Sequence, residues 1–260
     1  MKKTFLLSCL MLAAMPVMAA YTGHVYVDKN KNGVFDQSEK PLAGIKVSDG
    51  LNVVETAADG SFTLPGHERE RFIFITTPSG YKTFNRHYHK IEKKQSGYDF
   101  GLIPYSGRIR KDGSHRYIHI TDTEIFNTEN HADWVNNVHD YARNEQAAFI
   151  IHTGDICYEK GLKAHIKLMN TENMDCPVFY CIGNHDLVKG KYGEELFESI
   201  YGPVYYSFDA GNVHYVVTPM PGGDYAPGYT SDDVCRWLKN DLAHIRPGTP
   251  VVVFNHDLLT

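Results

Sequence analysis

Pro177-Val178-Phe179-Tyr180-Cys181-Ile182-Gly183-Asn184-His185-Asp186 is an apolar run that stops on a glycine and hands over to three polar side chains. Its length, aromatic and β-branched content, leading proline and closing turn signal read as a buried strand. Gly183-Asn184 alone is a common turn dipeptide. Followed by His185 and Asp186 at the end of a buried strand, it reads as chemistry.

Three other apolar runs close the same way. Residues 116–121 lead to Asp122, with Glu124 two residues on; residues 148–153 lead to Gly154-Asp155; residues 250–254 lead to Asn255-His256. Segments of helical spacing lie between them. Residues 129–143 carry Trp134, Val135, Val138, Tyr141 and Ala142 on one face, and residues 193–201 form a shorter candidate. Ser231 reads as the N-cap of a third, ahead of Val234, Trp237, Leu238 and Leu242. Residues 204–209 and 213–219 read as strands joined at Gly211-Asn212. Strands alternating with helices predict an α/β domain, mainly parallel, whose strand ends meet along one sheet edge, where open sheets bind ligands. Singly, Asp122 could cap a helix, Asp155 could shape a turn and His256 could sit in a core. Their recurrence at successive strand ends is what makes a site.

The chain before this region has another rhythm. From residue 21 to about 105, short β-rich runs such as His24-Val25-Tyr26-Val27 and Arg71-Phe72-Ile73-Phe74-Ile75 alternate with turns at Asp49-Gly50, Asp59-Gly60 and Pro78-Ser79-Gly80. This predicts a small all-β sandwich over 21–105, a linker at 106–114 and the α/β domain over 115–260. Within the sandwich, Asp28, Asn30, Asn32, Gly33, Asp36 and Glu39 occupy positions 1, 3, 5, 6, 9 and 12 of a calcium loop. A structural calcium ion is expected there; the plain alternative is a polar turn.

Residues 1–20 carry Lys2 and Lys3, an apolar stretch at 5–14 and Val17-Met18-Ala19, the pattern of a signal peptide cut after Ala19 or Ala20. The apolar stretch is shorter than the ~20 residues of a membrane span, so a periplasmic or secreted location is expected. Cys157, Cys176, Cys181 and Cys235 then remain; their disulfide pairing is open, and they do not form a paired CxxC zinc site. A net charge of −5 over 260 residues shows no broad basic surface for nucleic acid. An anionic substrate must be attracted locally.

Asp122-Thr123-Glu124, Gly154-Asp155, Gly183-Asn184-His185-Asp186 and Asn255-His256, with Tyr201-Gly202-Pro203-Val204-Tyr205-Tyr206-Ser207-Phe208, resemble the ordered motifs of the calcineurin-like metallophosphoesterase superfamily. The resemblance covers about 117–260, and the leading sandwich is similar to that of bacterial exported members. It implies a two-sheet α/β sandwich that hydrolyses phosphate mono- or diesters through two metal ions. By the same resemblance Asp155 bridges the metals, Asp122 binds the first, and Asn184 and His256 bind the second. Such a shell suits Mn, Fe or Zn, and two metals ~3.5–4 Å apart can clamp a phosphate and acidify water. His185 is then expected near the leaving group, stabilising charge or donating a proton, with Asp186 orienting it. Tyr158 completes a Gly-Asp-x-x-Tyr pattern known from purple acid phosphatases and is read here as packing. His119, His152 and His214 are read as structural.

Two departures stand out. Many relatives have His where this chain has Glu124, which is expected to bind metal directly or through water, or to lie just outside the shell. The family's closing Gly-His-x-His element is absent, so the phosphoesterase domain is read as C-terminally incomplete. Both departures favour a competing reading, a non-catalytic surface or binding protein with a degenerate domain. The intact motifs at the other strand ends favour the enzyme.

Overall fold

The computed structural model describes residues 20–257 except 85, 96, 106 and 107. The signal segment read at 1–20 lies outside the described residues but for Ala20, as do residues 258–260. The first strands are β1 (Ala20–Val27), β2 (Lys40–Pro41), β3 (Lys46–Ser48), β4 (Val53–Glu55), β5 (Ser61–Pro65), β6 (Phe72–Ile75), β7 (Tyr81–Thr83), β8 (Tyr88–Lys90) and β9 (Phe100–Pro104). They form one sheet ordered β2-β1-β9-β7, with β5 also on β1, and a second ordered β4-β3-β6-β8. Val25, Val47, Leu64, Ile73, Ile75 and Leu102 fill the space between the sheets. The expected sandwich is present.

All four residues of β6 are buried. Ile73 and Ile75 enter the sandwich core, whereas Phe72 and Phe74 join a separate core with Phe208 and Trp237. An unbroken apolar run is what a strand covered on both faces requires. The α/β unit therefore forms the outer wall of the second β-sheet.

That unit contains β10 (Tyr117–Ile120), α1 (His131–Asn144), β11 (Phe149–His152), α2 (Tyr158–Leu168), β12 (Val178–Tyr180), α3 (Glu195–Tyr201), β13 (Tyr206–Ala210), β14 (Val213–Val217), α4 (Ser231–Ala243) and β15 (Val251–Phe254). β10, β11 and β12 pair in parallel as one sheet. β13 and β14 form the antiparallel hairpin expected at Gly211-Asn212, and β15 adds in parallel to β14. The two sheets stack through aromatic rings, with Phe179 on Phe208 at 3.7 Å between centroids. One expectation needs correction: the four strand ends do not share a single sheet. β15 belongs to the facing sheet, and its end reaches the others across the sandwich.

Local departures have local causes. The N-cap of α4 is Thr230, not Ser231: its hydroxyl accepts from the Asp233 N–H at 3.2 Å, and the Asp233 carboxylate accepts from the Thr230 N–H at 3.0 Å. The sequence reading missed α2, whose Gly161 lowers helix propensity. A Cβ at Gly161 would lie 2.6 Å from the Ile156 carbonyl oxygen, so glycine is what lets α2 seat against the loop that follows β11.

A buried polar chain ties the halves together. The Thr76 and Ser207 hydroxyls lie 2.9 Å apart, Ser207 donates to Asp241 at 2.8 Å, and His214 sits between Asp241 (2.8 Å) and Asp209 (2.7 Å). Burial alone would lower the His214 pKa, but the two carboxylates outweigh it and hold the ring up at about 9. Arg71 reaches across as well, 2.9 Å from Glu194 and 3.1 Å from Glu198. Cys157, Cys176, Cys181 and Cys235 are free thiols. Among the described residues no helix is long and apolar enough to cross a membrane.

Candidate active site

The loop after β10 lies along the loop after β11. Backbone N–H groups of Asp122, Glu124 and Ile125 donate to the carbonyls of Gly154, Asp155 and Ile156 at 3.0, 3.0 and 2.9 Å. This stitching sets Asp122 beside Asp155. Two glycines then bring in the loop after β12. A Cβ at Gly154, where φ is +104°, would lie 2.4 Å from the Gly183 nitrogen, and a Cβ at Gly183 would lie 2.2 Å from Asp155 Oδ1. Any side chain at either position would separate the loops. Nine described non-glycine residues have positive φ, and five of them are Asp122, Glu124, Asp155, Cys157 and Tyr158. Left-handed backbone of this kind concentrates where function over-determines the chain.

Three strand ends supply one group of side chains that could hold a metal ion. Ligand atoms of Asp122, Asp155 and His256 all lie within 4.8 Å of one another. His256 Nε2 is 3.4 Å from Asp155 Oδ2 and 3.2 Å from Asn184 Oδ1, while its Nδ1 is 2.8 Å from the Thr153 carbonyl oxygen. That carbonyl contact aims Nε2 at the carboxylates, the usual arrangement for a metal-binding histidine. The Asp155 interaction, chiefly its hydrogen bond, raises the His256 pKa to about 9 against the opposing effect of burial. The carboxylates thus stabilise a positive charge at this point. Burial would push the Asp155 carboxyl up, but hydrogen bonds from His256 and from the His185 N–H hold it below its ordinary value. Asn184 joins this arrangement. The exposed Glu124 carboxylate is not among the three residues whose donor atoms lie within 4.8 Å of one another, while the Glu124 N–H donates to the Asp155 carbonyl.

Cys157 adds no thiolate. The buried thiol is pushed up to about 12, first by burial and then by Asp155. Oxygen and imidazole donors without a thiolate suit a hard or borderline divalent ion, so the residues present fit such a metal.

His185 lies beside the group. Its backbone N–H donates to Asp155 Oδ1 at 3.0 Å, while its ring projects outward. The ring Nδ1 is 2.9 Å from Asp224 Oδ2 and 3.5 Å from the Tyr158 hydroxyl. The hydrogen bond to Asp224 raises the His185 pKa. The expectation that Asp186 orients His185 is therefore corrected. Asp186 is fully buried and accepts from the backbone N–H groups of Cys157 (2.9 Å) and Gly183 (3.0 Å), binding two loops to each other. The packing role read for Tyr158 is also corrected, because its ring is exposed beside His185. His152 and His119 sit behind the loops, 3.0 Å from the Thr123 hydroxyl and 2.8 Å from the Thr153 hydroxyl.

Asp224 was missed from sequence. It lies in Pro221-Gly222-Gly223-Asp224, whose composition signals only a turn. The useful signal was the double glycine. A Cβ at Gly223 would lie 2.7 Å from the Asn184 carbonyl oxygen, and the Asp224 N–H donates to that same oxygen at 3.1 Å.

A family model described as N terminal of Calcineurin-like phosphoesterase matches residues 29–104, and one described as Calcineurin-like phosphoesterase matches residues 115–259. No curated protein matches the chain. The second model spans more than half of the chain and contains every residue of the group just described, so the chain belongs to the calcineurin-like phosphoesterase family, with that family's N-terminal domain ahead of its phosphoesterase domain.

Proposed function

We propose that this chain is an exported, two-metal phosphohydrolase acting on phosphate mono- or diesters. The observation that carries the reading is the convergence of Asp122, Asp155 and His256 from strand ends in two different sheets, with Asn184 alongside. Asp122, Asp155, Asn184 and His256 would hold the ions, Asp155 being shared. When bound, such a pair neutralises phosphoryl oxygens and acidifies water. The protein's own part is positional. Asp155 fixes the His185 backbone, Asp186 pins the loops after β11 and β12, and Asp224 holds the His185 ring where a leaving group needs a proton.

The protein, recovered from the extracytoplasmic fraction, should hydrolyse p-nitrophenyl phosphate or its bis-ester. Chelator should abolish turnover, and Mn, Fe or Zn should restore it. Metal binding without turnover of either ester would instead favour the non-catalytic surface or binding protein, the reading that Glu124 supports by standing outside the ligand group. Activity confined to the cytoplasm would remove the export assignment.

We further propose a structural calcium ion in the 28–39 loop. Asp28 is buried and accepts from the N–H groups of Asn32 (3.2 Å) and Gly33 (2.9 Å), with Gly33 at φ +72°. The Asn30 and Asn32 amides converge on Asp36 Oδ2, and Glu39 accepts from the Lys29 and Asp36 N–H groups. Calcium binding would turn these oxygens from the amide and backbone N–H groups onto the ion. Calcium at a hundredfold above its dissociation constant should stabilise the fold by ~2.7 kcal/mol. The whole chain is the right object for melting, because Phe72, Phe74 and Tyr88 of the sandwich are buried in the core shared with the α/β unit. Asp28→Ala or Glu39→Ala should erase the calcium-dependent rise in Tm. A wild-type Tm indifferent to calcium and chelator would reduce the loop to a polar turn.

A further inference from the structure

Among the described residues a second set of side chains meets the geometry of the group at Asp122, Asp155 and His256. Ligand atoms of Asp49, His67 and Glu70 all lie within 4.8 Å of one another. These residues belong to the N-terminal sandwich and come from two connections. Asp49 lies in the turn between β3 and β4, and His67 and Glu70 lie in the loop between β5 and β6. The Asp49 side chain is fully buried, and His67 Nε2 is 3.5 Å from its Oδ1. Both carboxylates are held in place. Asp49 Oδ1 accepts from the Leu51 and Asn52 N–H groups at 2.9 and 2.7 Å, and its Oδ2 from the Asn52 amide at 2.8 Å. Glu70 accepts from the Tyr21 hydroxyl and from the His67 N–H. Outer hydrogen bonds of this kind orient a metal-binding carboxylate.

The charge balance points to a cation. Two carboxylates this close repel, and a buried one needs a counter-charge. The neighbouring arginines do not supply it: Arg69 turns to Asp233 at 3.0 Å and Arg71 to Glu194 at 2.9 Å. Among the described residues His67 is the basic side chain that pairs with this set, and one imidazolium offsets one charge of two. Burial, and after it the Glu70 carboxylate, raise the Tyr21 pKa, so that hydroxyl remains a neutral donor. His67 and Glu70 also line a cleft of about 570 Å³ with Tyr205, Tyr229 and Arg236, which gives an ion a way in and room for a bound water. Two oxygen donors and an imidazole suit a borderline divalent ion such as zinc. The Arg69 N–H faces His67 Nδ1 at 3.3 Å, so without an ion the ring proton sits on Nε2, toward the Asp49 carbonyl oxygen at 3.2 Å. Zinc at Nε2 sends that proton to Nδ1 and opens both contacts, which are long ones.

The same two connections carry the seam with the α/β unit. The Gly50 carbonyl accepts from the Tyr205 hydroxyl at 3.2 Å, the Leu51 carbonyl accepts from the Asn240 amide at 2.8 Å, and Arg69 holds Asp233. We propose that Asp49, His67 and Glu70 form a further metal site, of the zinc type, that clamps the β3–β4 turn to the β5–β6 loop where the two halves of the molecule meet. Protein stripped with chelator and returned to zinc should hold one more ion per chain than His67→Ala, whatever the group at Asp122, Asp155 and His256 holds. Glu70→Gln should bind that ion about 100-fold more weakly or worse, since losing even an outer partner of a ligand costs about 10–100-fold. Melting of the stripped proteins checks that both variants fold. Hydrogen exchange supplies the local reading: zinc should slow the amides of residues 49–52 and 66–70 in the wild type and leave them unchanged in His67→Ala. Equal zinc content in the wild type and both variants would overturn the inference. So would exchange in those two connections that ignores zinc in the wild type.

Discussion

Replacing Asp155 with Asn should strip metal from the protein and lower phosphoester turnover by about 10³-fold or more. The substitution keeps size and one carbonyl oxygen, so the bond from the His185 N–H to Oδ1, 3.0 Å long, can persist. What changes is the other arm, where an amide faces His256 Nε2 at the 3.4 Å position of Oδ2 and the charge is gone. Charge is what this position supplies: the Asp155 carboxyl is held below its ordinary value while the neighbouring imidazole is raised to about 9. Remove it, and neither a proton nor a cation has reason to stay. A metal pair contributes several kcal/mol of charge stabilisation to the transition state, and each 1.36 kcal/mol is tenfold. Elemental analysis alongside p-nitrophenyl phosphate turnover checks both halves, and a melting profile matching that of the chelator-treated wild type separates metal loss from misfolding. Wild-type metal content with wild-type turnover in Asp155→Asn would sink the assignment. Glu124→Gln is the built-in contrast: its carboxylate lies outside the ligand group, so that variant should keep its metal.

The sequence was most informative where chemistry and strand pattern coincide. An apolar run ending in Gly183-Asn184-His185-Asp186 leaves little freedom, because a buried strand must end at a sheet edge and its polar residues must find partners there. The same argument placed Asp122, Asp155 and His256 at strand ends. It could not tell that β15 belongs to the opposite sheet, since Val251, Val252 and Val253 satisfy either one. The double role of Phe72-Ile73-Phe74-Ile75 was hidden for a related reason: a continuous apolar run shows burial on both faces but not what covers them. Asp224, not Asp186, holds the His185 ring because hydrogen-bond partners depend on how loops stack, and that is set by Gly154, Gly183 and Gly223 through contacts far apart in sequence. Positive φ at Asp122 and Asp155 is likewise imposed by the neighbouring loop rather than by either residue.

His185→Ala should retain metal and still lose turnover by about the 10²–10⁴-fold that separates a positioned proton donor from none. Alanine keeps the backbone N–H that binds Asp155 Oδ1, so the ligand group is undisturbed. Only the imidazole is lost, and its nearest polar partners are Asp224 and the Tyr158 hydroxyl. The pH profile then tests the mechanism. The Asp224 hydrogen bond raises the His185 pKa, so the ring keeps its proton to higher pH than a free imidazole. A proton donor works in its charged form, so activity carried by His185 is present below its pKa and falls as pH rises through it. Asp224→Asn removes the carboxylate that holds the proton and should shift the alkaline limb of kcat to lower pH, with the greatest loss in alkaline solution and the least in acid. Loss of metal from His185→Ala would move the ring into the ligand shell. An alkaline limb that stays in place in Asp224→Asn would show that another group delivers the proton, leaving the Asp224 contact a matter of loop structure alone.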